Sequence, residues 1–334
     1  MLLKILVTGA AGLIGGEVCA RLVARGHDVS GMVRRTPEVR GNDGREVTGL
    51  RTLAGDVTQP LMGLEAEPFD VVIHCAASLE FDAPEEELQA VNVEGTCNAL
   101  AYAEAAGARF IHVSTAYVCG MREGEICEGP VPAETRFTNR YEASKAAAEA
   151  VVAQSGIPFA IARPSIVLGD SETGAIRDFP SLCNVFRLMA RGKVTVFPAE
   201  AGSTLDLVPL DHVAEGIVRI AENMEQADGR YFHLTASSPM PAAELAHGVA
   251  RVAHFPDPQV IAPDNYSMAD LRPAERMLAG RMLGTFGSYF TRSPQFDDSQ
   301  LRTLTGLTCP PTDSAWLDRL IAYGIARGYL PAAV

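Results

Sequence analysis

"VTGAAGLIGGEV", residues 7–18, decides how this chain is read: a β-branched run ends in Gly9, Gly12 and Gly15, and an apolar helical pattern begins at once. Glycine is required where a backbone turns sharply and lets an anion approach, and the N–H groups of the first helical turn then point at that anion. A strand, a G-x-x-G-x-x-G turn and a helix in this order predict a dinucleotide site, with Ala11, Leu13 and Ile14 lending backbone beside the glycines.

Outward from this stretch, apolar β-branched runs recur at 2–8, 27–33, 69–76, 108–115 and 157–164, with helical stretches at 13–25, 84–106 and 139–155 between them. That cadence predicts an α/β fold, a doubly wound parallel sheet of Rossmann type with helices on both faces. Residues 1–168 are assigned to the cofactor-binding domain, and 204–235 return to its sheet through "TLDLVPLDHVAEGIVRI" and "GRYFHLT". Segments 169–203 and 236–334, rich in Gly, Pro and Phe, are read as short regular elements forming a smaller, interleaved substrate-binding part.

Of the 334 residues, 47% are hydrophobic, enough for a buried core. A net charge of −13 without a basic block argues against a nucleic-acid backbone as partner and favours a small molecule or a protein. The seven cysteines form no C-x-x-C pair and read as buried small hydrophobes in a reducing compartment. No apolar window suits a signal peptide or a membrane span, which places the chain in the cytoplasm. The histidines lack H-E-x-x-H spacing, so no metal is expected, and no G-x-S-x-G elbow marks a serine hydrolase. Small-residue helices at 84–106 and 139–155 leave a homodimer possible.

"YEASKAAAEA", 141–150, sets Tyr141 one helical turn before Lys145, one of only three lysines among 28 basic residues. A phenol with an unperturbed pKa near 10 serves as a proton donor at neutral pH when a neighbouring ammonium stabilises its phenolate. Lysine suits this because its compact head also reaches nucleotide ribose hydroxyls. "FIHVSTAYVCG", 110–120, ends a strand with Ser114 and Thr115, either of which could donate to a developing alkoxide. "GMVRRTP", 31–37, puts Arg34 and Arg35 where an NAD site holds an acid, so NADP(H) is preferred over NAD(H). "AGDVTQP", 54–60, would bring Asp56 and Val57 to the adenine.

Together these motifs resemble the extended short-chain dehydrogenase/reductases over about the first 235 residues. "VVIHCAASLEFD", "NVEGTCNAL", "HVSTAYVCG", "RPSIVLGDSETG" and "YFHLT" are similar to the branch of fatty acyl-CoA reductases and thioester reductase domains, and "TCPPTDSAWLDRLIAYGIARGYL" has its look. The resemblance implies Tyr141 as proton donor, Lys145 as its activator and ribose ligand, and Thr115, beside Ser114, as the catalytic hydroxyl. It places Ala76, Ala77 and Ser78 beside the cofactor, Asn92 as a brace, and Pro164 and Ser165 at the nicotinamide end. For Asn92 a capping or turn role stands equally open.

The implied activity is NADPH-dependent reduction of an aldehyde, ketone or acyl thioester. Because no carrier or adenylation segment is evident, the substrate is expected free or carried separately. A nucleotide-sugar epimerase or dehydratase shares the fold and the triad, but would favour an acid at Arg34 and has Asp-Glu where this chain has Ala116 and Tyr117. A non-catalytic nucleotide sensor would leave Tyr141 and Lys145 without purpose.

Overall fold

The computed structural model describes residues 2–81, 83–271 and 273–333. Seven strands form one parallel sheet: β1 Lys4–Thr8, β2 Asp28–Val33, β3 Arg51–Ala54, β4 Val71–His74, β5 Arg109–Val113, β6 Phe159–Pro164 and β7 Arg230–Leu234. Their spatial order is β7-β6-β5-β4-β1-β2-β3, so the order reverses between β1 and β4. Ligands of open α/β sheets bind at that switch point, beyond the carboxyl ends of the strands.

Alternation along each strand divides the core between two layers. Ile5, Val7, Ile73 and Ile111 face one side, against Val18 and Leu22 of α1 (Leu13–Ala24) and Val213 and Ile217 of a later helix, Leu210–Glu222. Leu6, Val72, Phe110 and Ile161 face the other, against Ala99 and Ala103 of α2 (Gly95–Ala106) and Val152 of α3 (Arg140–Ala153). The doubly wound reading therefore holds; of the stretch 204–235, Arg230–Leu234 pairs with β6 at the sheet edge, whereas Leu207–Pro209 pairs with Ile166–Leu168 in a separate two-stranded sheet.

The structure differs from the expectations at four points. β3 lacks an apolar run because it is an edge strand with largely exposed residues. The helical stretch at 84–106 is interrupted by a π-turn over Gln89–Glu94 that carries Asn92. The later segments hold longer helices than expected, Pro273–Phe286 and Ser314–Ala326, with Trp316 fully buried. Leu182, Phe186, Leu205, Leu245, Phe290 and Trp316 belong to a second apolar cluster. Cys97 and Cys127 are exposed and Cys75 half-buried, so only four of the seven cysteines are buried.

Candidate active site

The glycine turn is shaped by contacts that a side chain would fill. Gly9 has φ +65°, and a Cβ there would lie 2.7 Å from the Ala76 nitrogen; at Gly15 it would lie 2.3 Å from the Gly9 carbonyl oxygen. Gly12 is the N-cap of α1 without a side-chain cap, and the first turn, beginning Leu13 and Ile14, contains no acid. These features fit the pyrophosphate of a dinucleotide.

Past the end of β2, Arg34 and Arg35 are exposed. Arg34 Nη1 stands 3.9 Å from Asp56 Oδ2, but Asp56 Oδ1 is engaged locally, accepting from Thr58 N at 3.0 Å and Thr58 Oγ1 at 2.9 Å. The Thr58 N–H holds that carboxyl below its usual range, with the two arginines adding to the effect. Val57 is buried and would meet a Cβ at Gly95 at 3.0 Å, so it serves packing.

Asn92 is no cap. Its Oδ1 accepts from Ser78 N at 2.8 Å, and its Nδ2 donates to Ser78 O at 3.1 Å and to Ser144 Oγ at 3.0 Å. It thus ties the loop after β4, with Ala76 and Ala77, to α3 between Tyr141 and Lys145. π-turns concentrate where a helix must aim a functional side chain, and this one turns Asn92 inward.

On α3, Asn139 caps the helix by accepting from Glu142 N at 2.8 Å. Tyr141 and Lys145 follow one turn apart, Tyr141 9% and Lys145 2% exposed. Lys145 Nζ donates to Val113 O at 2.9 Å and lies 3.2 Å from His112 Nε2. Burial lowers its pKa to about 8, Glu149 and Cys75 opposing. The Tyr141 phenol is pushed above its usual value, first by burial and then by Glu142. The ammonium is thus turned toward the sheet, and the expected lowering of the phenol pKa is not seen in this arrangement.

Ser114 and Thr115 follow β5 directly, and α3 packs on the short helix Ala116–Cys119 behind them. Thr115 Oγ1 accepts from Tyr117 N at 3.2 Å, which leaves its proton free to donate. Ser114 Oγ is buried without a partner among the described residues. Pro164 ends β6, and the next residue, Ser165, donates to buried Asp206. Burial pushes Asp206 up to about 7.

Several residues of the site carried no sequence signal. Arg177 Nη2 donates to Ala11 O at 3.0 Å, laying the 169–178 segment across the glycine turn. Phe81 lies beside Tyr141, ring centroids 5.2 Å apart, and touches Phe286 and Tyr289. Arg292 joins Glu142 from 150 residues away. Only the fold brings these together, because each pair is remote in sequence.

The glycine turn thus follows β1 at the switch point of the parallel sheet, while α3, carrying Tyr141 and Lys145, packs on the short helix that follows Ser114 and Thr115. A family model described as Male sterility protein matches residues 7–217, and the chain belongs to that family, within the extended short-chain dehydrogenase/reductases. It is 28% identical over 328 residues to a 3-diazoavenalumate denitrifying reductase of Streptomyces sp, covering 95% of this chain and 99% of that protein. It is 30% identical over 260 residues to one component of the linear gramicidin synthase of Brevibacillus parabrevis, covering 69% of this chain but only 5% of that much longer protein. The solved terminal R domain of the myxalamid PKS-NRPS biosynthetic pathway superposes with a TM-score of 0.85 at 25% identity, covering 100% of this chain and 93% of that one. Among the described residues no helix is long and apolar enough to cross a membrane.

Proposed function

We propose that this chain is an NADPH-dependent reductase of a carbonyl group, an aldehyde, ketone or acyl thioester, acting through Thr115, Tyr141 and Lys145. The observation that carries the reading is the placement of buried Tyr141 and Lys145 one turn apart on α3, with Nζ anchored to the carbonyl of Val113, the residue before Ser114 and Thr115. Exposed Arg34 and Arg35, the former paired only loosely to Asp56, support a 2′-phosphate and hence NADP(H) over NAD(H). The likeness to a synthase R domain supports an acyl thioester among the carbonyl substrates.

The bound cofactor supplies the hydride. Thr115 donates its free hydroxyl proton toward the carbonyl oxygen, and Tyr141 gives that oxygen its phenolic proton as negative charge develops there. Lys145 offsets the charge left on the phenolate. Asn92 keeps α3 and the loop of Ser78 in register, so the donors are aimed before substrate arrives. From a thioester the thiol departs after the first reduction and an aldehyde results.

The test is to incubate the protein with NADPH and acyl-CoA thioesters of several chain types while following NADPH absorbance and free thiol together. Equimolar NADPH loss and thiol release is expected for a thioester reductase. Consumption with aldehydes or ketones alone keeps the carbonyl chemistry and discards the thioester; consumption with no carbonyl contradicts the reading.

A further inference from the structure

Thr8, His74 and His112 stand at paired positions on β1, β4 and β5, so their side chains project as neighbours from one face of the sheet. That face is the one α2 and α3 cover, and all three residues are buried. Both ends of the row are hydrogen-bonded: Thr8 Oγ1 is 2.8 Å from His74 Nδ1, and Lys145 Nζ is 3.2 Å from His112 Nε2. Between them the imidazole rings stack with centroids 5.7 Å apart and planes 26° from parallel.

An ammonium has donors only, so His112 Nε2 accepts from Nζ and the ring proton belongs on Nδ1, a tautomer assigned from the network. Burial, then the Lys145 ammonium and His74, hold the His112 imidazole neutral, as acceptance requires. His112 Nδ1 and His74 Nε2 have no partner among the described residues. Two apolar side chains would fill this layer without leaving buried nitrogens unpaired. What an imidazole at 112 adds is an acceptor for Lys145.

We propose that His112 is a positioning residue for the Tyr141–Lys145 pair: its Nε2 accepts a hydrogen bond from Nζ, stabilises the ammonium and fixes it beneath α3. His74, anchored through Thr8 to the strand that runs into the glycine turn, holds the His112 ring in place. The consequence for turnover rests on the reductase reading, whereas the contact itself can be tested without turnover. The ionisable groups facing Lys145 are His112 and His74 from the sheet, Cys75 after β4 and Glu149 on its own helix.

The chain has three lysines, Lys4, Lys145 and Lys193, so lysine labelled with carbon-13 at Cε gives three signals, and Lys145→Arg identifies one. Removing an acceptor from an ammonium disfavours the charged form, so in His112→Leu the Lys145 midpoint is expected to fall by about one pH unit. His112→Gln, whose side-chain oxygen reaches a similar place, should keep the midpoint; His112→Met serves in place of leucine if that variant does not fold. With NADPH and a reducible carbonyl, His112→Leu should lower kcat on the order of tenfold. The alkaline limb of its pH profile should move to lower pH with the lysine, and His112→Gln should restore both. A midpoint that stays put in the folded leucine or methionine variant, or moves equally in the glutamine variant, overturns the proposal and leaves the reductase reading standing. A midpoint that shifts as expected in a protein reducing no carbonyl upholds the His112 contact and removes the reductase reading instead.

Discussion

Arg292 reaches from the C-terminal segment to Glu142, the neighbour of Tyr141: Nη2 lies 3.0 Å from Oε1, with the side chains 5% and 0% exposed. Tyr289 donates to the same oxygen at 2.8 Å, and Arg292 also donates to the Gly120 carbonyl. Gly120 closes the turn that begins at Thr115, so one guanidinium holds both elements that carry the proposed catalytic groups. Removing one partner of a buried ion pair leaves an uncompensated charge, at a cost of about 3–5 kcal/mol. Arg292→Met is therefore expected to lower the unfolding free energy by about 3 kcal/mol in chemical denaturation and to lower kcat. Adding Glu142→Gln should recover part of the stability.

The cradle at Gly15 leaves no room for a methyl group, since a Cβ would sit 2.3 Å from the Gly9 carbonyl oxygen. Gly15→Ala must displace the turn whose N–H groups would hold the cofactor's pyrophosphate in the proposed site. We expect at least a tenfold loss of NADPH affinity, about 1.4 kcal/mol, measured by fluorescence titration.

Charge at the end of β2 should decide which nicotinamide cofactor binds. Replacing Arg34 and Arg35 by alanine is expected to weaken NADPH on the order of tenfold at low salt while leaving NADH nearly unchanged, the difference shrinking as ionic strength rises. Equal loss for both nucleotides would assign the arginines elsewhere.

Lys145 should be held in its site against stability. Its folded pKa is lowered to about 8 by burial, against about 10.4 when unfolded. Between these values the unfolded chain binds more protons, so wild-type stability rises with pH across the window. Lys145→Met lacks this dependence. The unfolding free energy of the variant relative to wild type is expected to fall by up to about 3 kcal/mol between pH 8 and 10.5 in urea titrations.

The fold was legible because its central strands are continuous apolar runs, as a sheet buried on both faces demands. β3 escaped because an exposed edge strand such as "RTLA" has no such run. The helix 314–326 stood in a stretch noted only for its family look, and its buried Trp316 shows how much apolar surface that segment contributes. Local motifs gave the glycine turn, the Tyr–Lys pair and the strand-end hydroxyls, since each lies within a few residues. Asn92 could be read only as a brace or a cap, and the π-turn that aims it inward left no pattern in the residues. His74 and His112 gave no signal beyond lacking a metal-binding spacing, because their meeting with Lys145 depends on the register of parallel strands whose partners lie far apart in sequence. Arg177 and Arg292 escaped for the same reason.

The most direct measurement follows NADPH absorbance with wild-type protein and Tyr141→Phe across matched acyl-CoA thioesters, aldehydes and ketones, with NADH in parallel. Loss of the phenolic proton should lower kcat by about 10²- to 10⁴-fold while the variant still binds NADPH. The predicted result is carbonyl-dependent oxidation, faster with NADPH than NADH and nearly abolished in the variant. Wild-type turnover that survives Tyr141→Phe unchanged, or NADPH binding with no carbonyl reduced, would contradict the assignment.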